Sequence, residues 1–310
     1  MRSTWLPWLA DAAQWVTFVV LSPLVLGWSR WIEDRMQGRA GPRVSQPYHD
    51  LRKLFGSRPT LPEHVSTVFL ASPVIVFTCA LLLGAALPPP LGHDAGRIDL
   101  LLAIGITGLA KFAVTLAAFD SGSPIAVMSS GRQWFLHVLM EPTLVLAVYF
   151  AAIAGVVGGA GDRATSHTPL DALMVGAVGV ALLAETSRLP FDRHGGHLEL
   201  TMIEEGPGLD HGGPALGLLR WAEAMRLTFA LALLARLITG PLVGAGHPLW
   251  SLVGFVSALP PLLLGLAVWE SSWARLRPRS ALTLFAGTAG LVLFSLVALA
   301  VASITRTGAP

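Results

Sequence analysis

Residues 66–87 read STVFLASPVIVFTCALLLGAAL, a run without one charged side chain and without alternation of polar and apolar positions. A helix needs about 20 mostly apolar residues to cross a bilayer core, and this run has that length. Strands of a membrane barrel would alternate in character, so the run reads as a helix, whose backbone groups satisfy one another inside lipid. Working outward, comparable runs occupy residues 12–31, 98–118, 135–157, 170–189, 227–243, 249–269 and 281–304. The pattern predicts an all-α integral membrane protein: one polytopic domain over residues 1–310 with eight transmembrane helices. Pro23, Pro73, Pro142, Pro241 and the pair Pro260 and Pro261 fall inside these runs and predict kinks or local unwinding.

Composition agrees. Hydrophobic residues make up 53% of the 310 and charged residues only 13%, and mean hydropathy is +0.63. Soluble domains carry about 25% charged residues, so an ordinary cytosolic enzyme and a disordered chain are both excluded. The net charge of +2 points to basic cytoplasmic loops, not to nucleic acid. The one cysteine, Cys79, lies inside an apolar run. It can form no internal disulfide and hold no iron–sulfur cluster, so a redox centre must belong to a partner. Asp11 and Gln14 interrupt the first apolar run and no small-residue cleavage site follows, so it reads as a retained span, not a signal peptide.

Most of the 21 Lys and Arg fall on one side of the membrane if the first long loop is cytoplasmic; Arg2, Arg97, Arg163 and Arg306 fall on the other, and Lys111 and Arg236 within spans. The positive-inside rule then puts both termini outside, in a prokaryotic plasma membrane. Two cytoplasmic loops, 32–65 and 190–226, are long and dense in charge, and are expected to form a docking platform. Within the first, Pro47–Phe55 reads PYHDLRKLF, with Tyr48, Leu51, Leu54 and Phe55 on one helical face and His49, Asp50, Arg52 and Lys53 on the other. That is a short amphipathic helix for the membrane surface, between the first and second spans. Gly38–Pro42, GRAGP, is a turn returning the chain toward the membrane.

A charge at mid-membrane costs about 2.5–3.5 kcal/mol on insertion scales, so such residues persist when paired or functional. Lys111 and Glu141 have apolar neighbours on both sides; Asp120 ends the third span, and Glu185 lies near the end of the fifth with Arg188 three residues on. Spacing puts Arg188 on the same helical face as Glu185. Proton handling is the reading for Glu141 and Glu185. Arg236 reads as a counter-charge or an end-snorkeller, and Arg188 and Glu270 as charges within reach of the interface. The loop 190–226 adds Asp192, Glu199, Glu204, Glu205, Asp210 and Glu223. Crowded acids raise each other's pKa and can pass protons, although on spacing alone a solvated loop of ordinary acids is the better fit. His194, His197 and His211 lack a second metal-binding motif, so no metal site is expected.

Four stretches in order carry a family resemblance: RMQGRAGPRVSQPYHDLRKLFG from Arg35, FDSGSPIAVMSSGRQWFLHVLMEP from Phe119, AETSRLPFDRHGGHLELTMIEE from Ala184, and WESSWARLR from Trp269. Together they resemble the subunit 1 family of respiratory NADH dehydrogenase (complex I). HLELTMI, the stretch from Arg35 to Lys53, and Asp120–Pro124 look most like its hydrogenase branch, that of formate hydrogenlyase subunit 4 and the matching hydrogenase-4 subunit.

The resemblance implies eight spans and a place at the joint between a cytoplasmic redox arm and antiporter-like membrane subunits. It implies a docking surface that includes Arg35, Arg39, Gly41, Pro42, Gln46, Pro47, Asp50, Lys53, Arg132 and Arg188. It implies a proton path through Glu141, Glu185, Asp192 and Glu199, with Lys111, Asp120, Glu204 and Glu205 added from the residue reading. The expected partners are hydrogenase-like large and small subunits and an iron–sulfur subunit, which would hold the nickel–iron and iron–sulfur centres. No catalytic residue, metal or resident cofactor is expected on this chain. In the NADH branch the same loops line a quinone chamber, so a quinone-site subunit is one alternative. A stand-alone secondary transporter is another, although no inverted repeat is visible. Three positions depart from the branch: Gln133 where an acid is usual, Arg193–Gly196 where an acidic stretch is common, and Glu204 where histidine is common.

Overall fold

The computed structural model describes residues 6–62, 65–86, 100–153, 169–186, 188, 203–243, 248–272, 283–284, 286–294 and 297. These residues are helical or in turns and loops, and no strand occurs among them. In chain order the helices are α1 (Leu6–Met36), α2 (Gln46–Gly56), α3 (Thr67–Ala86), α4 (Leu100–Ser121), α5 (Pro124–Ile153), α6 (Pro169–Glu185), α7 (Pro214–Val243) and α8 (Pro248–Ser272), with a 3-10 turn at Gly206–Gly208 before α7. Residues 286–294 are also helical, inside the eighth apolar run. Within the described residues, three segments are long and apolar enough to cross a membrane: Ala12–Met36, Thr67–Ala86 and Leu101–Ser121.

α3 and α4 pack along each other's length, and α7 packs on α1, α3 and α8. The contact is built largely from small residues: Ala80 on α3, Ala103, Ala110 and Ala117 on α4, Ala222 and Ala230 on α7, all buried. Small side chains let helix backbones approach closely where lipid offers no hydrophobic drive. Leu83, Val178, Met225 and Phe229 fill the space between. The outer faces are the reverse. Val68, Leu70, Val74 and Leu82 on α3, and Leu102, Leu109, Phe112 and Phe119 on α4, are exposed. A soluble monomer rarely leaves so continuous an apolar surface open; a bilayer covers it.

Indole donors tie the bundle together, Trp15 to the Leu81 carbonyl at 2.9 Å and Trp221 to the Val19 carbonyl at 3.1 Å. α1, α3, α5 and α8 continue as helices through Pro23, Pro73, Pro142, and Pro260 and Pro261 respectively.

Two expectations need correction. Residues 214–226, read as the end of a cytoplasmic loop, are the first turns of α7. Arg220, Glu223 and Arg226 lower the hydropathy there, but they lie among carboxylate and guanidinium partners, so the helix continues through them. Arg188 does not share a helical face with Glu185, because α6 ends at Glu185. Its backbone N–H closes on the Leu183 carbonyl at 2.9 Å, past the last helical residue.

The first loop folds back on α1. At Gly27 a Cβ would run into the Val44 carbonyl oxygen and meet Pro47 Cδ at 3.0 Å, so only glycine admits this crossing. Gly41 makes the turn in the left-handed region at φ 68°. α2 then buries Pro47 and Leu51, and Phe55 meets Trp221 of α7 edge-on at 6.3 Å. Gly213, at φ 60°, passes within 2.8 Å of the Arg58 carbonyl oxygen as measured from its Cβ position. The two long loops therefore meet through α2 and the start of α7.

Candidate functional site

A buried polar cluster lies where α4, α5 and α6 meet. α6 ends at Glu185, which delivers its carboxylate between the other two helices. Lys111 of α4 reaches it, with Nζ 3.0 Å from Oε2 and both side chains at 6% exposure or less. His137 of α5 faces the same oxygen, with Nδ1 at 3.7 Å. Its other nitrogen, Nε2, lies 3.7 Å from Glu141 Oε2, one turn along α5. Glu185 Oε1 and His137 Nδ1 have no hydrogen-bond partner among the described residues. An ionisable group buried without full satisfaction in an apolar setting marks function more often than stability.

A second cluster sits toward the loops. Arg226 Nη2 donates to Glu204 Oε1 at 2.6 Å, and Gln133 Nε2 donates to Glu204 Oε2 at 2.8 Å. Arg220 donates to Glu205 at 2.9 Å and to Glu223 at 3.2 Å. Burial alone would lower the Arg220 pKa, but the charges and hydrogen bonds of Glu223 and Glu205 outweigh it and hold the group above its ordinary value.

The clusters are joined twice. Glu185 and Arg226 are the two charged residues lining a cavity of about 20 Å³, otherwise walled by apolar residues such as Leu83, Ile104, Leu182 and Phe229 and by Thr107. A cavity needs about 10–15 Å³ on this measure to hold a water, so water fits between the two. Along α5, Gln133, His137 and Glu141 stand four residues apart in succession, which puts them on one helical face. That stripe connects Glu204 at the loop to Glu141.

The remaining expected residues take varied places. Asp120 Oδ2 accepts hydrogen bonds from the backbone N–H and the hydroxyl of Ser66, both at 2.8 Å, ahead of the start of α3. Ser121 donates to Asp210 at 2.7 Å. His211 is buried, stacks on Phe69 with ring centroids 4.0 Å apart, and lies 3.3 Å from the Ser72 hydroxyl. Burial lowers its pKa, against opposing contributions from Phe69, Asp210 and Gly208. Arg188 is buried and donates to Glu270 Oε1 of α8 at 3.1 Å. Arg35 lies over the Trp31 ring at 5.5 Å. Arg39, Gly41, Gln46, Asp50 and Lys53 are exposed, Pro42 and Arg132 half-buried, and Pro47 buried. Gln46 donates to Asp50 at 2.8 Å. Asp192, Glu199, His194, His197 and both chain ends lie outside the described residues, as does the side chain of Arg236.

Sequence reasoning missed His137 and Arg226. The signal for His137 was its spacing, four residues after Gln133 and four before Glu141. Arg226 was hidden inside a stretch read as loop.

The fold and the ionic cluster define an all-helical membrane protein with ionisable groups inside its bundle, and the similarity of its sequence to known proteins defines the class: membrane subunits of respiratory and hydrogenase-like oxidoreductases. The chain belongs to the NADH dehydrogenase subunit 1 family; the sequence model of that family, described as NADH dehydrogenase, matches residues 11–303. Hydrogenase-4 component C of Escherichia coli is 32% identical over 224 residues, covering 69% of this chain and 70% of that protein. Formate hydrogenlyase subunit 4 of the same organism is 30% identical over 277 residues, covering 85% and 89%. NADH-ubiquinone oxidoreductase chain 1 of Lampetra fluviatilis is 28% identical over 261 residues, 78% of each chain. Among solved structures, a chain of the membrane-bound sulfane sulfur reductase, an archaeal respiratory membrane complex, has the same fold, with a TM-score of 0.75 at 20% identity over 94% of this chain and 98% of that one. This chain is thus a complex I-related membrane subunit, and its relatives are subunits of larger assemblies.

Proposed function

We propose that this chain anchors a cytoplasmic redox arm and couples electron transfer in that arm to ion translocation through the membrane. The observation that carries the reading is the line of ionisable groups that runs buried from Glu204 and Arg226, past Glu185, to His137 and ends at the part-exposed Glu141. The chain spans the membrane eight times with both ends outside. α2 lies at the cytoplasmic surface and, with the loop residues before α7, forms the docking platform. Arg35, Arg39 and Lys53 are its basic contacts.

The expected neighbours are hydrogenase-like large and small subunits and an iron–sulfur subunit on the cytoplasmic side, and antiporter-like subunits in the membrane. Nickel–iron and iron–sulfur centres on those neighbours would supply the electron transfer. Cys79, the one cysteine, is buried in α3 and provides no cluster ligand set. The chain's own part is electrostatic. Two unit charges about 4 Å apart interact by about 4 kcal/mol at an effective dielectric of 20, equivalent to about three powers of ten in proton affinity. Protonating Glu185 releases Lys111 from its pair, and the freed cation disfavours a proton on its neighbours. Charge arriving near Glu204 and Glu205, and near Asp192 and Glu199 in the adjoining loop, is passed inward in this way.

A quinone-site role is the second reading, taken from the family's NADH branch. The cavity at Glu185 and Arg226, at about 20 Å³, fits water and is lined by no residue of α2 or of the first loop, where that reading puts the quinone. The experiment is the composition of the assembly purified through this chain. Nickel-containing and iron–sulfur subunits support the proposal. A flavin and NADH-oxidising module supports the quinone-site reading, and a chain isolated alone and active overturns both.

A further inference from the structure

We infer that His137 is the transfer group between the two carboxylates, and that what passes this point is a proton and not a metal cation. The inference rests on the proposed coupling role and deepens it. One imidazole has two nitrogens, and here each faces a different acid: Nδ1 lies 3.7 Å from Glu185 Oε2, and Nε2 lies 3.7 Å from Glu141 Oε2. Those gaps exceed a hydrogen bond of 2.7–3.2 Å by less than an ångström, a distance that carboxylate rotation closes. Lys111 Nζ lies 3.0 Å from the same Glu185 oxygen. The ammonium and the imidazole therefore compete for one acceptor, and Lys111, Glu185 and Glu141 are the charged groups facing the ring from α4, α6 and α5.

The ring is held in place. Its side chain is 2% exposed. Trp134 meets it edge-on, with centroids 5.5 Å apart, and Phe112 meets Trp134 in the same way at 5.9 Å. On the α4 side, a Cβ on Gly108 would come within 3.3 Å of Nε2. Glycine there leaves the imidazole the clearance it needs to shift between partners.

The two transfers balance in protons, and water is the one further participant. A protonated Glu185 gives its proton to Nδ1 of a neutral ring that carries hydrogen on Nε2. The imidazolium then loses the Nε2 proton to the Glu141 carboxylate. Glu185 is left anionic beside Lys111 and Glu141 is left neutral; the ring, now carrying hydrogen on Nδ1, regains its first tautomer when water takes that proton and returns one to Nε2. Exposure sets the direction: Glu185 is 6% exposed and Glu141 41%, so the enclosed acid is the donor and the open one the exit. Hops between N–H and carboxylate move protons, whereas sodium needs a set of oxygen ligands, which an imidazole does not offer.

The test uses the complete assembly in sealed vesicles, with redox turnover, pH-dye response and radioactive sodium uptake recorded together. In His137→Gln, protons moved per redox turnover are expected to fall at least tenfold while assembly stays within twofold, and wild-type vesicles are expected to move protons in sodium-free buffer. Glu141→Gln and Glu185→Gln are run alongside. Proton movement kept in His137→Gln but lost in both carboxylate variants overturns the histidine relay and leaves the coupling role standing. Movement kept in all three variants overturns the coupling role itself. Gly108→Ala retains the imidazole and crowds it, so it serves even if His137→Gln fails to assemble. It is expected to slow proton movement severalfold and to enlarge its solvent deuterium effect; an unchanged rate and isotope effect count against the relay, as does sodium uptake in place of protons.

Discussion

Lys111 Nζ lies 3.0 Å from Glu185 Oε2, and both side chains are almost wholly buried. Breaking a buried pair by removing one partner costs about 3–5 kcal/mol, whereas replacing both by apolar groups is often neutral. Lys111→Met is therefore expected to destabilise the bundle by about that amount, and Lys111→Met with Glu185→Leu by much less. Thermal unfolding of the four members of the cycle in detergent checks the difference. A double-variant loss equal to the sum of the two single losses would mean that the pair is not coupled.

The docking platform depends on exposed basic groups. Charge reversal of Arg39 and Lys53 together is expected to detach the cytoplasmic arm while leaving this chain in the membrane, because both side chains are exposed and outside the packed core. Washing isolated membranes and assaying the soluble fraction for the arm's subunits is the measurement. Retention of the arm would count against this surface.

Gly27 tests the same platform from beneath. A Cβ there would run into the Val44 carbonyl oxygen, so Gly27→Val forces the returning loop and the start of α2 off α1. The expected result is arm loss without basic-residue changes, and faster proteolysis between Arg39 and Gln46. Helix content stays the same, because valine is a better helix former than the glycine it replaces.

His211 gives a pH prediction. Burial holds its folded pKa below the ordinary value of 6.5, so the unfolded loop binds a proton more readily than the folded one. Stability from the stacked neutral ring is complete above pH 6.5. It is lost as pH falls from there toward the lowered value. Hydrogen-exchange protection of residues 206–213, taken relative to the intrinsic rate at each pH, is expected to fall below pH 6.5, and His211→Phe to flatten that response. Protection that rises with acidification would contradict the sign.

How much of this was legible in the sequence varies by residue. Lys111, Glu141 and Glu185 stood out because a charge inside an apolar run is costly, and the structure brings all three to one cluster around His137. His137 did not stand out, because a neutral imidazole disturbs hydropathy little and its meaning lies in which helices face it. Arg226 and the first turns of α7 were read as loop because hydropathy counts charges without seeing that Glu204 sits 2.6 Å from the guanidinium. The pairing of Arg188 with Glu270 joins residues 82 apart in sequence, and no local spacing reports such a contact. The glycine at position 27 carried no signal at all, since its role is set by a neighbour that arrives after a turn.

The central claim is that buried acids in this chain carry the coupling for an assembly that works as one. Ion movement per turnover in the reconstituted assembly, wild type against Glu141→Gln, tests it most directly. The account expects the variant to assemble, to keep its redox turnover and to move no ions. Ion movement per turnover equal to that of the wild type would contradict it.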